Sequence, residues 1–309
     1  MRLLSACLAC CLLTLSAATL ANAPQQLPFG VKVNGVENRY PVFAAFALPD
    51  KILTLELVGR TGREISARFD GVPVRSGEHD ISLRMPANPG THRLDLSDAN
   101  GNSMRLNLFV MFSTADNAFG MLNGYRIGSY PREPLRGLAI YEAPQAFVEV
   151  TAENAAVPVS PNFTLGQFVC KQGNGYPKYL VLRPELLQKL EVVLGELRSV
   201  NDRVPGLTVM SGYRTPEYNR AIGNGQYSRH IWGGAADVFV DADRNGVMDD
   251  LNGDGKVSRA DSAWLAGFVD DLERKGRFGP MIGGIGVYDS TASHGPFVHI
   301  DARGFRARW

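Results

Sequence analysis

His230, Asp237 and His299 are the residues whose types could do metal chemistry together. Two imidazoles and one carboxylate leave a coordination position free for water, which is the arrangement of a catalytic zinc. A closed structural zinc site normally takes four protein ligands, often cysteines, and beyond residue 11 the chain has only Cys170. His299 lies in the apolar run Phe297–Ile300, a strand that would hold its ring rigidly. Any one of these side chains alone reads as an ordinary satisfied residue, but as a set they predict zinc. Cys170, between Phe168-Val169 and Lys171, reads as a small packed hydrophobe.

A second constellation points to calcium. Asp250, Asn252 and Asp254 stand at positions 1, 3 and 5 of a twelve-residue EF-hand-type loop, with a glycine, Gly255, at position 6. Lys256 offers its carbonyl at position 7, and Asp261 closes position 12 in place of the usual Glu. Just upstream, Asp241, Asp243 and Asn245 begin a less complete loop, with Asp249 at its ninth position and Asn252 as a weak closer. No helix leads into the first loop, so a structural role is expected rather than a sensor-type opening. The insertion 241–261 begins just after Asp237, so calcium there would steady the strand carrying that ligand. The alternative is a solvated acidic turn.

Several short motifs in order carry a family resemblance. Ser211-Gly-Tyr-Arg214, the stretch from Ser228 through His230 to Asp237, and Phe297-Val-His-Ile-Asp301 are similar to those of the zinc D-Ala-D-Ala peptidases. These LAS-type metallopeptidases include DD-carboxypeptidases and murein endopeptidases that trim or cut peptidoglycan stem peptides. The resemblance spans about residues 161–309, including the opening segment Pro161–Phe168 and the closing Arg308-Trp309. It implies that His230, Asp237 and His299 hold zinc, and that zinc-bound water attacks a bond involving a D-amino acid. It also implies that Arg214 steadies the oxyanion, with a structural ion pair as the plainer alternative. Tyr213 and Ser228 are the implied substrate contacts.

One position departs from the pattern. Several relatives carry an acid three residues before the last His ligand, where this chain has Pro296, and others a His two before it, where this chain has Phe297. The general base must then come from elsewhere or be absent. Asp301 shares the face of His299 on a strand, His294 lies on the loop leading in, and Asp289 is a third candidate. Asp301 can instead orient His299 from behind.

The elements that must position these residues are α+β. Pro184–Val200 carries Leu186, Leu187, Leu190, Val193, Leu194 and Leu197 at helical spacing, with Pro184 suited to the first turn. Leu207–Met210 reads as a strand running into Ser211, and Ser262–Lys275 as a helix after the calcium loop. Residues 24–115 read as an all-β immunoglobulin-like sandwich of short alternating strands. Its signs include the Asn34-Gly35 hairpin turn, Leu53, Leu55 and Leu57 on one strand face, Asp80–Met85, and a hairpin turning at Asp98–Gly101. It has no catalytic set, so a wall-binding or protein-docking role is expected. Residues 116–160 read as a β-rich connector: a short Gly- and Tyr-rich hairpin after Leu122, a strand at Phe147–Val150, and a linker from Ala155 to Pro161. The C-terminal zinc-peptidase domain, 161–309, is expected to have a small antiparallel sheet with helices.

The chain of 309 residues is too long for one ordinary domain. Its 32 basic against 31 acidic residues, a net charge of +1, provide no excess for nucleic-acid binding. Residues 1–23 read as a signal peptide: Arg2, an apolar stretch to Leu20, and Ala21-Asn-Ala23. The expected location is therefore the periplasm or cell envelope, without a membrane anchor once the signal is cleaved. Loss of 1–23 removes Cys7, Cys10 and Cys11, so no internal disulfide is expected. A different class of function also accommodates these features: a catalytically inactive peptidoglycan-binding or scaffold protein that keeps the zinc fold. Pro296 is its best support.

Overall fold

The computed structural model describes residues 26–59, 65–114 and 120–309. The signal-peptide reading of 1–23 lies outside them. The described chain is mixed α and β, with several small sheets and few helices.

The described residues between 29 and 110 form two sheets. One orders Val36–Asn38, Phe29–Val33, Ile52–Gly59 and Asp80–Arg84, all antiparallel. The other orders Val42–Ala47, Ser103–Val110, Gly90–Ser97, Ser66–Phe69 and Val72–Val74, with its first pair parallel. Asn34 and Gly35 both take positive φ, 51° and 84°, as the two-residue hairpin turn requires. Leu53 and Leu55 are buried and Leu57 is half-buried, as period-two alternation dictates. Their core is continuous with Phe43, Ala45, Leu94, Leu96 and Leu106 of the other sheet.

The connector is more tightly built than a linker. Ala146–Val150 pairs with both Phe112–Ser113 and Lys178–Leu180, joining the two halves of the chain in one three-stranded sheet. Pro158–Ser160, expected as linker, pairs with Phe163–Thr164. Buried Glu191 holds it there, accepting from Ser160 Oγ at 2.6 Å, Asn162 N at 2.8 Å and Asn162 Nδ2 at 2.6 Å. A buried carboxylate needs such donors, and their positions order the segment.

The C-terminal half is built on three helices and a five-stranded sheet. Helix α1 spans Pro184–Val200 and buries the six apolar residues expected. Helix α2 is Pro216–Ala221 and α3 is Arg259–Arg274. The start of α3 lies earlier than expected because Ser258 and Asp261 form a capping box around it. The sheet orders Thr208–Ser211, Ala235–Phe239, Phe297–Asp301, Gly284–Tyr288 and Ala307–Arg308. Cys170 is buried, as a packing role requires. Among the described residues no helix is long and apolar enough to cross a membrane.

Candidate metal centre

Cross-strand pairing aligns four residues on one face of the five-stranded sheet. Ser211 pairs with Asp237, Asp237 with His299, and His299 with Gly286. Directly paired residues point to the same side, so the row delivers Asp237 and His299 together. His230 arrives from the short 3-10 helix Arg229–Trp232. It is tied to the same face because Arg214 N donates to its carbonyl at 3.2 Å.

Three atoms converge there. His230 Nε2 is 3.2 Å from Asp237 Oδ1 and 3.1 Å from His299 Nδ1, and His299 Nδ1 is 3.1 Å from Asp237 Oδ1. All three residues are buried. The outer ring nitrogens decide the tautomers. His230 Nδ1 lies 2.7 Å from the carbonyl of Gly212, which can only accept, so Nδ1 carries the proton. His299 Nε2 lies 3.0 Å from Asp301 Oδ2, so there Nε2 carries it. In the neutral rings the inner nitrogens therefore bear lone pairs. Without an ion, burial lowers the His299 pKa but Asp237 and Asp301 together raise it, so a proton on its inner nitrogen is shared with Asp237; a cation in that place satisfies all three atoms at once. Their near-equal spacing fits a tetrahedral ion with bonds of about 2 Å. Burial lowers the His230 pKa, keeping it neutral as a ligand must be. Burial acts to raise the Asp237 carboxyl, but His230 and His299 hold it well below the usual carboxylate range.

The other expected site residues fall in different places. Arg214 binds the outer oxygen of Asp237 through Nη2 and Ser211 Oγ through Nε at 2.9 Å. Its Nη1 makes neither bond. Asp301 is fully buried and saturated: it accepts from His299 Nε2, from Gly284 N at 2.8 Å, and from Arg303 Nε at 2.9 Å. Burial would raise its carboxyl, but His299 and Arg303 hold it well below the usual range. It stands behind His299, away from the converging atoms, which is the orienting position and not that of a proton shuttle. His294 meets Phe297 edge-on at 5.0 Å, and Phe297 is two residues from His299 on the same strand face. Asp289 Oδ1 accepts from Ser290 N on an exposed turn. Ser228 is half-buried immediately before the helix carrying His230. Tyr213, expected at the substrate, is 1% exposed, with its hydroxyl 3.1 Å from that of Tyr130 and its ring edge-on to Phe147. Its N–H donates to Phe168 O, and the side chain becomes core beneath the site. The substrate-contact expectation for Tyr213 is therefore corrected.

The acidic insertion also rearranges the expectation. Asp241, Asp243 and Asp249, from the less complete loop, bring carboxylate oxygens within 4.8 Å of one another. Asn245 caps them locally, donating to Asp241 and Asp243. In the other loop, Asp250 accepts from Gly253, Asp254 and Gly255 amides. Asn252 and Asp254 make similar turn bonds, Asn252 Oδ1 accepting from Asp254 N and Asp254 Oδ1 from Lys256 N. Asp261, expected to close that loop on a cation, instead spends both oxygens on backbone: Leu251 N at 2.9 Å, Asn252 N at 3.2 Å and Ser258 N at 2.8 Å. As the third residue of α3 its carboxylate caps the helix.

Two aromatic residues stand beside His299 and its strand. The Trp309 ring lies 5.0 Å from that of His299, and its Nε1 donates to Tyr288 Oη at 2.7 Å. The glycines at 284 and 286, alternating along a strand, are the signal that something presses on one face there.

Residues 161–252 match the family model for Peptidase M15. The C-terminal region is similar to the M15 peptidases. The match contains Arg214, Ser228, His230 and Asp237, and His299 joins them through the strand pairing. M15 peptidases are zinc-dependent, and the match together with the His-Asp-His group supports a metallopeptidase here. No curated protein matches the chain. Among solved structures, fibronectin(III)-like modules of Clostridium thermocellum CbhA are similar over 26% of this chain and 94% of theirs, at 16% identity and a TM-score of 0.19. Tandem Ig domains of titin cover 26% of this chain and 49% of theirs, at 14% identity and 0.18. The Bacteroides ovatus glucan-utilization protein SGBP-B covers 24% of each chain, at 11% identity and 0.17. Scores this low carry no argument about fold or function.

Proposed function

We propose that this protein is an exported zinc peptidase that hydrolyses bonds involving D-amino acids in peptidoglycan stem peptides or cross-links. The observation that carries the reading is the convergence of His230 Nε2, His299 Nδ1 and Asp237 Oδ1, each left as an acceptor by its outer partner. Those three residues would hold the ion. Zinc, when bound, supplies Lewis acidity toward the scissile carbonyl and toward water.

The chain's own residues do the rest. Asp301 fixes the His299 ring and tautomer. Arg214 is clamped by Asp237 and Ser211, so its remaining Nη1 is preorganised to donate to a carbonyl oxygen as negative charge develops. His294 is the group we assign to proton movement, since Asp301 is fully engaged. Ser228, at the entry to the His230 helix, is the proposed substrate contact. Calcium is proposed at Asp241, Asp243 and Asp249, steadying the strand that ends at Phe239 and carries Asp237. The two N-terminal sheets are proposed as an immunoglobulin-like module that positions the enzyme on the wall or on a protein partner.

A second reading has a specific observation in its favour. With Pro296 where relatives carry an acid and Asp301 saturated, a wall-binding protein that keeps zinc without turnover also fits. Zinc-loaded protein incubated with cross-linked muropeptides, with products read by mass spectrometry, separates the two. Cleavage abolished by His299→Ala establishes the peptidase, and product masses distinguish endopeptidase from carboxypeptidase. Intact muropeptides despite stoichiometric zinc sink it in favour of the binding protein.

A further inference from the structure

His230 is held by chain that lies outside the segment matching the peptidase family. That match begins at residue 161, whereas the turn carrying His230 is tied to residues 130–142 of the connector. This stretch winds through two short 3-10 turns, Leu135–Gly137 and Ala139–Tyr141. Carbonyls such as those of Glu133, Ile140 and Glu142 are left for side chains to use. Three side chains around His230 use them. Tyr227 Oη donates to Glu133 O at 3.2 Å, Arg229 Nη1 to Ile140 O at 2.7 Å, and Trp232 Nε1 to Glu142 O at 2.9 Å. Tyr141 fills the space between them. Its ring meets Trp232 edge-on at 5.0 Å, and the Arg229 guanidinium lies over it at 4.7 Å.

One side chain reaches the other way. The Tyr130 hydroxyl lies 2.7 Å from Ile231 O and 3.1 Å from Tyr213 Oη. A carbonyl only accepts, so Tyr130 donates to Ile231 and accepts from Tyr213. These two partners are the residues that follow His230 and Gly212. Gly212 O is itself the acceptor 2.7 Å from His230 Nδ1. A single hydroxyl thus joins the backbone that carries the His230 ring to the segment that orients it. The Tyr130 ring is seated edge-on to Trp232 at 5.8 Å and tilted against Phe147 at 6.4 Å.

We propose that Tyr130 is a positioning residue for the metal centre: through Ile231 and Tyr213 it fixes where His230 Nε2 stands, so the connector completes a site whose ligands all lie in the C-terminal half. This rests on the metal-site reading above. Tyr130 acts through these two residues and not on a ligand directly. Without its hydroxyl, Ile231 O and Tyr213 Oη lose a partner, and each recovers one only by shifting or by admitting water. Either response moves the turn. A tetrahedral ion holds its ligand atoms at about 2 Å, a tolerance narrower than that of side-chain packing.

The test uses the full chain, with zinc itself as probe. The zinc Kd by chelator competition, the visible spectrum of the cobalt(II)-substituted protein and the urea midpoint without metal are measured for wild type, Tyr130→Phe, Tyr213→Phe, the double variant and Leu55→Val. Leu55 is buried between the N-terminal sheets, so its variant lowers stability without touching the turn. Tyr130→Phe keeps the ring and is expected to weaken zinc about tenfold and to alter the cobalt spectrum. Tyr213→Phe removes one of the hydroxyl's two bonds and should weaken zinc about threefold. The double variant should bind zinc as Tyr130→Phe does, because both substitutions act through one hydroxyl. Leu55→Val should lower the midpoint and leave the zinc Kd within about twofold of wild type. A Tyr130→Phe protein that binds zinc within about twofold of wild type, with an unaltered cobalt spectrum, overturns the proposal and leaves the connector as packing. A Leu55→Val protein that loses as much zinc affinity as Tyr130→Phe overturns it too, since the loss then follows stability alone. Should Tyr130→Phe fail to fold, Tyr213→Phe carries the test, and an unchanged zinc Kd there overturns the proposal. A wild type that takes up neither zinc nor cobalt removes the metal reading, and the proposal with it, before any variant is compared. Zinc weakened by Tyr130→Phe in a protein that leaves muropeptides intact supports the proposal and removes only the peptidase reading.

Discussion

Asp301 lies two residues beyond His299 on the same strand and accepts its Nε2–H at 3.0 Å. That bond leaves Nδ1 as the lone-pair nitrogen facing Asp237 and His230, so a residue that touches no metal fixes the geometry of one that would. Asp301→Asn keeps the size of the side chain but weakens this acceptor and the Arg303 pairing. Zinc affinity should fall about 10–100-fold, measured by chelator competition. Affinity within twofold of wild type would assign Asp301 to structure alone.

Zinc should also stabilise the fold, since the three ligands come from segments far apart in sequence. Added zinc at about a thousand times its Kd is expected to raise unfolding free energy by about 4 kcal/mol. In His230→Ala or His299→Ala that rise should vanish, as read by the midpoint of denaturant unfolding. A rise that survives both substitutions would place the ion elsewhere.

Gly286 offers a stability and binding test of a different kind. Gly286→Ala places a methyl group into the indole of Trp309. The strand backbone accepts alanine, so the ring should yield, with a loss of about 1–3 kcal/mol. Trp309 fluorescence should red-shift as the ring is displaced, and an unchanged spectrum at unchanged stability would show that the ring does not lie there.

Lys189 sits on α1 with its ammonium buried, donating to Asp301 O at 2.8 Å and 3.6 Å from Glu273. Burial pushes its pKa down to about 8, although Glu273 and Asp301 pull the other way. The unfolded chain keeps the ordinary value near 10.4. Between these values the unfolded state binds the proton that the folded state has released, so stability rises with pH across that window and falls back as pH drops through about 8. Urea unfolding of wild type and Lys189→Met from pH 7.5 to 10 should show wild type gaining on the variant by about 2 kcal/mol. A difference that does not vary with pH contradicts the shift.

Calcium binding at Asp241, Asp243 and Asp249 predicts a calcium-dependent gain in thermal stability that Asp241→Asn removes. Because the turn follows the strand carrying Asp237, calcium removal should also weaken zinc. Thermal stability and zinc affinity indifferent to calcium would reduce the insertion to a hydrogen-bonded acidic turn.

Much of this protein is legible along the chain. The apolar spacing of Pro184–Val200 set the helix and its buried face, and Asn34-Gly35 set a hairpin, because periodicity and turn chemistry act within a few residues. The residue types of His230, Asp237 and His299 mark metal chemistry on their own. What the tertiary structure alone decided is which atoms meet. The strand register pairs Asp237 with His299 and His299 with Gly286, and a slip of one residue would turn those side chains to the opposite face. The same long-range packing made Asp301 an orienting group, drew Tyr213 into the core and laid Trp309 on Gly286. Each of those roles depends on a neighbour supplied by a distant segment, and local sequence carries no information about which distant group will arrive.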